Sequence, residues 1–168
     1  IKLAEGYSKE GMTAEAVAEF ERAAQVLKQQ NREDDYIKVA ERLVFHDPNK
    51  HEVSKDLAKA YLNRSDVKRA LAKLQLCFKA TPKDPEILEL LAKAFGELGQ
   101  TQKTAYVFQE LLQIYEAAGR HEEARAVQVK LSAIDPKFAK AGAPLASPFT
   151  GKSPLAAAAT PPPPLSAD

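Results

Sequence analysis

The side chains able to do chemistry are few and scattered. In 168 residues the candidate ligands and nucleophiles are three histidines, His46, His51 and His121, and one cysteine, Cys77. A zinc site needs three or four such ligands converging on one point. Here each histidine falls near a helix end, where a solvated or C-terminal-capping imidazole is the ordinary outcome. His46 and His51 flank the Asp47-Pro48-Asn49-Lys50 turn and are the one pair able to approach each other. No Gly-x-Ser-x-Gly elbow, phosphate-binding loop or His-Glu-x-x-His pair is present. Gly96-Glu97-Leu98-Gly99 follows no strand and reads as a helix stop rather than a phosphate cradle. Glu122-Glu123 opens a helix, where carboxylates complement the helix dipole without any catalytic role. Cys77 lies on an apolar face and reads as a buried, inert thiol. The sequence predicts no enzyme, cofactor, metal or small-molecule substrate.

Composition is that of an ordinary globular chain, with 45% hydrophobic and 28% charged residues. A formal net charge of +1 favours neither nucleic acid nor a membrane surface. A lone cysteine excludes an intramolecular disulfide. No apolar run reaches the ~20 residues needed to span a bilayer, and no signal peptide is visible. These features predict a cytoplasmic protein without membrane insertion. The helical pattern already runs at Ile1, which reads as a piece of a longer chain. A targeting segment upstream is compatible with that reading.

What organises the chain is a repeat. Between Glu52 and Pro85, Leu57, Ala58 and Tyr61 share one helical face, and Ala70, Leu74 and Cys77 share another. Asn63-Arg64-Ser65-Asp66 turns the chain between them, and Thr81-Pro82 ends the second helix. Shifting by 34 residues brings Leu91, Ala92, Phe95, Thr104, Phe108 and Leu111 onto the same slots. Shifting back brings Ala23, Ala24, Leu27, Ala40, Leu43 and Pro48. A helix-turn-helix unit recurring at 34 residues marks a stacked array, since one hairpin cannot bury both faces of its apolar stripe.

On these residues the chain resembles the tetratricopeptide repeat (TPR) family over roughly residues 1–138. The resemblance implies an all-α fold, a right-handed α-solenoid of about eight antiparallel helices. Ala58, Ala70 and Ala92 match the family's small-residue slots, and Tyr61, Phe95 and Phe108 its aromatic ones. Leu112 at a small slot, Gln128 at an aromatic slot and Glu116 in place of proline depart from the pattern.

In order, the reading predicts a first helix over 1–10 ended by Gly11. Thr13 caps a second, to about Gln30. A third begins at Asp34 or Asp35 and ends at Asp47-Pro48. Glu52 and Asp66 begin the next pair. Asp84-Pro85-Glu86 opens a sixth helix with proline in its first turn. Thr101 caps a seventh to about Ala118, Gly119 breaks it, and 122–134 is the eighth, ended by Asp135-Pro136. A second symmetry, of 88 residues, aligns Thr13 with Thr101, Phe20 with Phe108, Arg32 with Arg120 and Leu43 with Leu131. The long second and seventh helices each serve two repeat frames, so the superhelical phase changes at both ends. Residues 139–168 hold seven prolines and few charges, and read as a disordered Ala/Pro-rich tail or linker with polyproline II character at Pro161–Pro164.

In the family, the first helices of the repeats line a concave groove. Its contact slots fall here on Arg22, Gln25 and Lys28, with Glu21 beside them. The next frame supplies Lys55, Lys59, Leu62 and Asn63, with Asp56. The third supplies Glu86, Glu89, Lys93 and Glu97, with Leu90. The overlapping last frame adds Tyr106, Gln109, Glu110 and Gln113. The slots that would clamp a chaperone-tail carboxylate hold Glu21, Gln25, Asp56, Glu86 and Leu90, so a clamp of that type is not expected. Segment 50–83 carries nine bases and three acids, and 84–124 eight acids and three bases. That polarity predicts a protein or peptide partner of complementary charge order. The reading is a non-catalytic interaction scaffold, weakly bacterial in character. The rivals are a self-associating array, or nucleic-acid binding through the basic helix 66–80 with Lys68, Arg69, Lys73 and Lys79.

Overall fold

The computed structural model describes residues 1–134. They form eight helices and no strand: α1 Lys2–Lys9, α2 Thr13–Gln29, α3 Glu33–His46, α4 His51–Asn63, α5 Val67–Ala80, α6 Pro85–Glu97, α7 Thr101–Ala117 and α8 His121–Ile134. The expected stop at Asp135-Pro136, the domain boundary at 138 and the Ala/Pro-rich tail lie outside the described residues. Each helix packs chiefly on the one before it and the one after it, with α4 also against α6. Contact limited to near neighbours is the signature of a solenoid.

Backbone chirality divides the eight helices into sets of three, two and three. Five turns carry a residue with positive φ: Gly11, Asn31, Ser65, Gly99 and Gly119. Asn31, Ser65 and Gly99 follow one another at the 34-residue period, and each closes a regular hairpin. Gly11 and Gly119 are the additions. They put a tight turn on both sides of α2 and of α7, so α1–α2–α3 and α6–α7–α8 are three-helix sets around the α4–α5 hairpin. The two remaining links, α3–α4 and α5–α6, pass through Pro48 and Pro82 without a positive φ. The 88-residue symmetry is carried by the backbone itself. Moved by 88 residues, α2 and α3 coincide with the bounds of α7 and α8.

The apolar stripes found in the sequence are the core. Ala58 and Ala70 are fully buried, as are Leu43, Leu57, Leu74, Leu91 and Leu111. Each fully buried leucine contributes roughly 1.5–3 kcal/mol by its removal from water. Tyr61 and Phe95 fill the interhelical space, whereas Phe108 is only half-buried. Cys77 is buried, donates weakly to the His51 carbonyl at 3.5 Å, and has its pKa raised by burial.

Helix starts differ from expectation in detail. Asp66 and Asp84 cap α5 and α6 through their side chains, accepting from Arg69 N and Glu86 N. Thr13 and Thr101 are not caps. Met12 and Gln100 hold the cap positions with no side-chain bond, and the Thr101 hydroxyl donates back to the Gly99 carbonyl. A tight turn through Gly11 or Gly99 brings the chain into the helix one residue early, leaving threonine at the first helical position. The starts at Glu33, His51 and His121 likewise lie one residue or more before those read from the acids.

Candidate interaction groove

Helices α2, α4 and α6, the first helices of the regular frames, stand in a row joined by charged side chains. Lys28 on α2 donates to Asp56 on α4 at 2.6 Å. Lys50 at the start of α4 pairs with Glu21 on α2. Lys59 donates to Glu86 on α6 at 2.5 Å. Lys55 reaches Glu52 at 3.0 Å, Asp84 at 3.3 Å and Glu86 at 3.0 Å. Of the expected slots, these bonds bring together Glu21, Lys28, Lys55, Asp56, Lys59 and Glu86.

They are not equally accessible. Lys55 is only 7% exposed, because three carboxylates draw its ammonium in over its own buried stem. Burial opposes its charge, yet the bonds to Glu52, Glu86 and Asp84 outweigh it and raise the pKa above the ordinary lysine value. Lys59, then Lys55, holds the Glu86 carboxyl below its usual range. Leu62 is 3% exposed and belongs to the core. The helix phase that puts it on a contact slot also turns it toward buried neighbours. Gln25, Lys28, Asn63, Lys93, Glu97 and Gln113 are exposed, and Tyr106, Gln109 and Glu110 are half-exposed. Arg22 is exposed and pairs with Glu19 on its own helix. Glu89 accepts from the Tyr115 hydroxyl at 2.7 Å.

Two open pockets flank α4 on this side. One, of about 410 Å³, lies between the α2–α3 turn and the C-terminal half of α4, and includes Lys28, Tyr36, Lys59 and Asn63. The other, of about 440 Å³, lies at the N-terminal ends of α4 and α6 and includes Glu21, His51, Lys55 and Asp84.

Sequence reasoning missed the polar tie across the α3–α4 link. The Tyr36 hydroxyl on α3 donates to Asp56 on α4 at 3.3 Å, and the Tyr61 hydroxyl on α4 donates to Glu41 on α3. The exchange is reciprocal. Burial first, and the facing carboxylate second, push both phenols above the usual tyrosine range. Arg69 lies over the Tyr61 ring at 5.0 Å and bonds Asp66, so it is taken from the basic stripe. Burial lowers the Lys73 pKa. Of the basic residues expected on α5, Lys68 and Lys79 are the exposed lysines, so the stripe is thinner than its sequence suggests.

His46 has a structural role. His46 bonds Ser8 on α1 at 3.0 Å and stacks on Phe20 with ring centroids 5.8 Å apart, tying α1, α2 and α3 together. His51 Nδ1 and Ser54 Oγ are buried without a hydrogen-bond partner. Among the described residues no three His, Cys, Asp or Glu side chains gather as a metal site, and no helix is long and apolar enough to cross a membrane.

No protein-family model matches this chain, and no curated protein does. Solved structures do. The crystal structure of MamA protein aligns with 76% of this chain and 76% of its own at 19% identity, with a TM-score of 0.53. MamA 41-end from Desulfovibrio magneticus RS-1 aligns with 81% of this chain and 93% of its own at 16% identity, with a TM-score of 0.49. The first likeness is one of fold, and the chain is an all-α, TPR-like helical solenoid.

Proposed function

We propose that this chain is a non-catalytic scaffold that holds a partner protein or peptide along the row formed by α2, α4, α6 and α7. The observation that carries the reading is the row itself. Its side chains are polar and span three repeats, and two open pockets of about 410 and 440 Å³ lie between its helices. A helical solenoid has an extended face of this kind as its natural binding surface. Because Lys55 and Leu62 are buried, the exposed contacts in this reading include Arg22, Gln25, Lys28, Asn63, Lys93, Glu97 and Gln113, with Lys59 partly exposed.

The test is affinity capture with the full chain beside the variant Arg22→Glu/Lys93→Glu/Gln113→Arg, which changes three exposed positions on three helices. Loss of a retained protein from the variant supports the groove. Equal retention by both sinks it. Self-association is the second reading, favoured by the exposed Ile1, Leu3 and Met12 around α1. Sedimentation that stays monomeric across a hundredfold concentration range would remove it.

A further inference from the structure

We propose that the pocket between the α2–α3 turn and α4 takes an acidic side chain, aspartate or glutamate, of an extended partner segment, with an adjacent apolar side chain on the pocket floor. This rests on the scaffold reading above and assigns the chemistry of one subsite within it. The floor is apolar: Leu27, the Tyr36 ring and Ala60 line it. The rim carries the donors. Lys28 on α2 and Lys59 on α4 line it, as do Asn31 in the α2–α3 turn and Asn63 at the end of α4.

Those donors are available to an incoming carboxylate. Asn31 and Asn63 are exposed, and neither makes a side-chain hydrogen bond among the described residues. Lys28 and Lys59 are each held by one carboxylate, Asp56 and Glu86. Their side chains remain 64% and 42% exposed. An exposed pair of this kind contributes about 0–1 kcal/mol, and an ammonium has three donors to share. If Lys28 turns to a ligand, Asp56 keeps its bond from the Tyr36 hydroxyl, so no buried carboxylate is stranded. Arg32 is already committed to Asp35 through two nitrogens and is left out of the site. Glu33 and Asp56 are the lining carboxylates that oppose the ligand; Asp56 is already bonded to Lys28 and Tyr36, so Glu33 supplies a variant of opposite sign. A basic partner side chain would meet two ammonium groups with only Glu33 uncommitted.

The test is a titration of the ¹⁵N-labelled full chain with N-acetyl-Leu-Glu-amide and, separately, N-acetyl-Leu-Lys-amide, followed by amide chemical shifts. For ligands this small, Kd values on the order of 1–10 mM are expected. The glutamate probe is expected to shift the backbone of Asn31 and Ala60 and the side-chain amide of Asn63. Lys28→Gln/Lys59→Gln, two exposed changes checked for folding by circular dichroism, weakens it about fivefold to tenfold. Glu33→Gln tightens it about twofold. Salt raised from about 50 to 500 mM weakens it severalfold. Equal response to the lysine probe overturns the proposal, as does the absence of shifts at these residues. The two readings fail separately. If the Arg22/Lys93/Gln113 variant loses the captured partner while Lys28→Gln/Lys59→Gln keeps it, the groove stands and this subsite falls. If both variants keep it, the groove itself falls.

Discussion

Helices α3 and α8 have the same length, follow the same kind of turn and sit 88 residues apart, yet they bury different amounts of themselves. On α3, Tyr36, Ile37, Val39, Ala40, Leu43 and Val44 are buried. On α8 only Ala124, Val127 and Leu131 are. The positions equivalent to Ile37, Ala40 and Val44 hold Arg125, Gln128 and Ser132. The positions buried on both helices are Tyr36, Val39 and Leu43 on α3 and Ala124, Val127 and Leu131 on α8. The second buried stripe of α3, Ile37, Ala40 and Val44, is replaced on α8 by polar groups. One backbone unit thus serves as an interior layer when both stripes are apolar and, among the described residues, as the outer layer when one is polar. Interior or outer position is set by about three side chains, not by the turn chemistry.

The largest test of that contrast is truncation of a leucine common to both helices. Leu43 is fully buried and Leu131 is 2% exposed. Leu43→Ala is expected to cost about 4 kcal/mol, toward the upper end of the range for core leucines. Leu131→Ala should cost about 2 kcal/mol, because the one-sided site collapses more readily. Urea denaturation of both variants decides it. Equal costs would mean that α8 is held as firmly as α3, and the distinction between layers would go. Hydrogen exchange sharpens the same point, since α8 amides should open at a lower free energy than those of α3.

The next test concerns where each three-helix set sends its tyrosine bond. Tyr36 reaches forward from α3 to the central hairpin, whereas Tyr115 on α7 reaches back to Glu89 on α6, within its own set. The tyrosine bond of the first set runs outward to α4, and that of the second stays within its own set. Tyr36→Phe and Tyr115→Phe should each cost about 1 kcal/mol. Only Tyr36→Phe should loosen the link between α1–α3 and the rest, seen as faster exchange at the start of α4. The pH dependence follows from the raised phenol pKa values. A group whose pKa is higher folded than unfolded contributes stability that is complete below the unfolded value, near 10, and is lost as pH rises toward the folded value. Burial first, then Glu89, pushes Tyr115 to about 12, and Tyr36 and Tyr61 lie beyond it. Stability should therefore fall above about pH 10. Tyr36→Phe/Tyr61→Phe should flatten that decline more than Tyr115→Phe does. A decline as steep in the double variant as in the parent would break the comparison.

The solenoid was legible because its determinants are local and periodic. Small residues at Ala58 and Ala70, apolar residues three and four apart, and turn residues every 34 positions each act within one or two helices. The three-two-three division was legible too, through the alignment of Arg32 with Arg120 and Leu43 with Leu131. The state of the groove was not. Whether Lys55 is a free contact or a buried ion depends on Asp84 and Glu86, some 30 residues away, and on a distance that no slot assignment contains. Leu62 fails for a related reason, since a contact slot marks one helical direction while a neighbouring repeat decides whether that direction is open. The tyrosine–carboxylate exchange between α3 and α4 was missed because Tyr36, a large residue at a small-residue slot, was read only for its apolar ring. That departure, read as a large polar-tipped residue needing a buried partner, is the signal that points to Asp56.

The smallest expected effect exchanges the two left-handed turn residues that begin α3 and α8. Asn31 has φ 54° and Gly119 φ 68°. Asparagine tolerates this region better than other side-chain-bearing residues, and glycine enters it without steric cost. A Cβ at Gly119 would meet nothing within 4 Å, so any penalty there is one of backbone conformation alone. Gly119→Asn should change stability by only a few tenths of a kcal/mol, and so should Asn31→Gly. Gly119→Ala should cost about 1 kcal/mol, because alanine has the Cβ penalty without a side chain that relieves it. Thermal melts of the three variants provide the measurement. If Gly119→Asn proves as costly as Gly119→Ala, the two turns are not interchangeable. The difference between α3 and α8 would then begin in the backbone rather than in the outward side chains. If it is nearly silent, the turn is a neutral hinge point, and the identity of each set rests on what its last helix presents to the next layer.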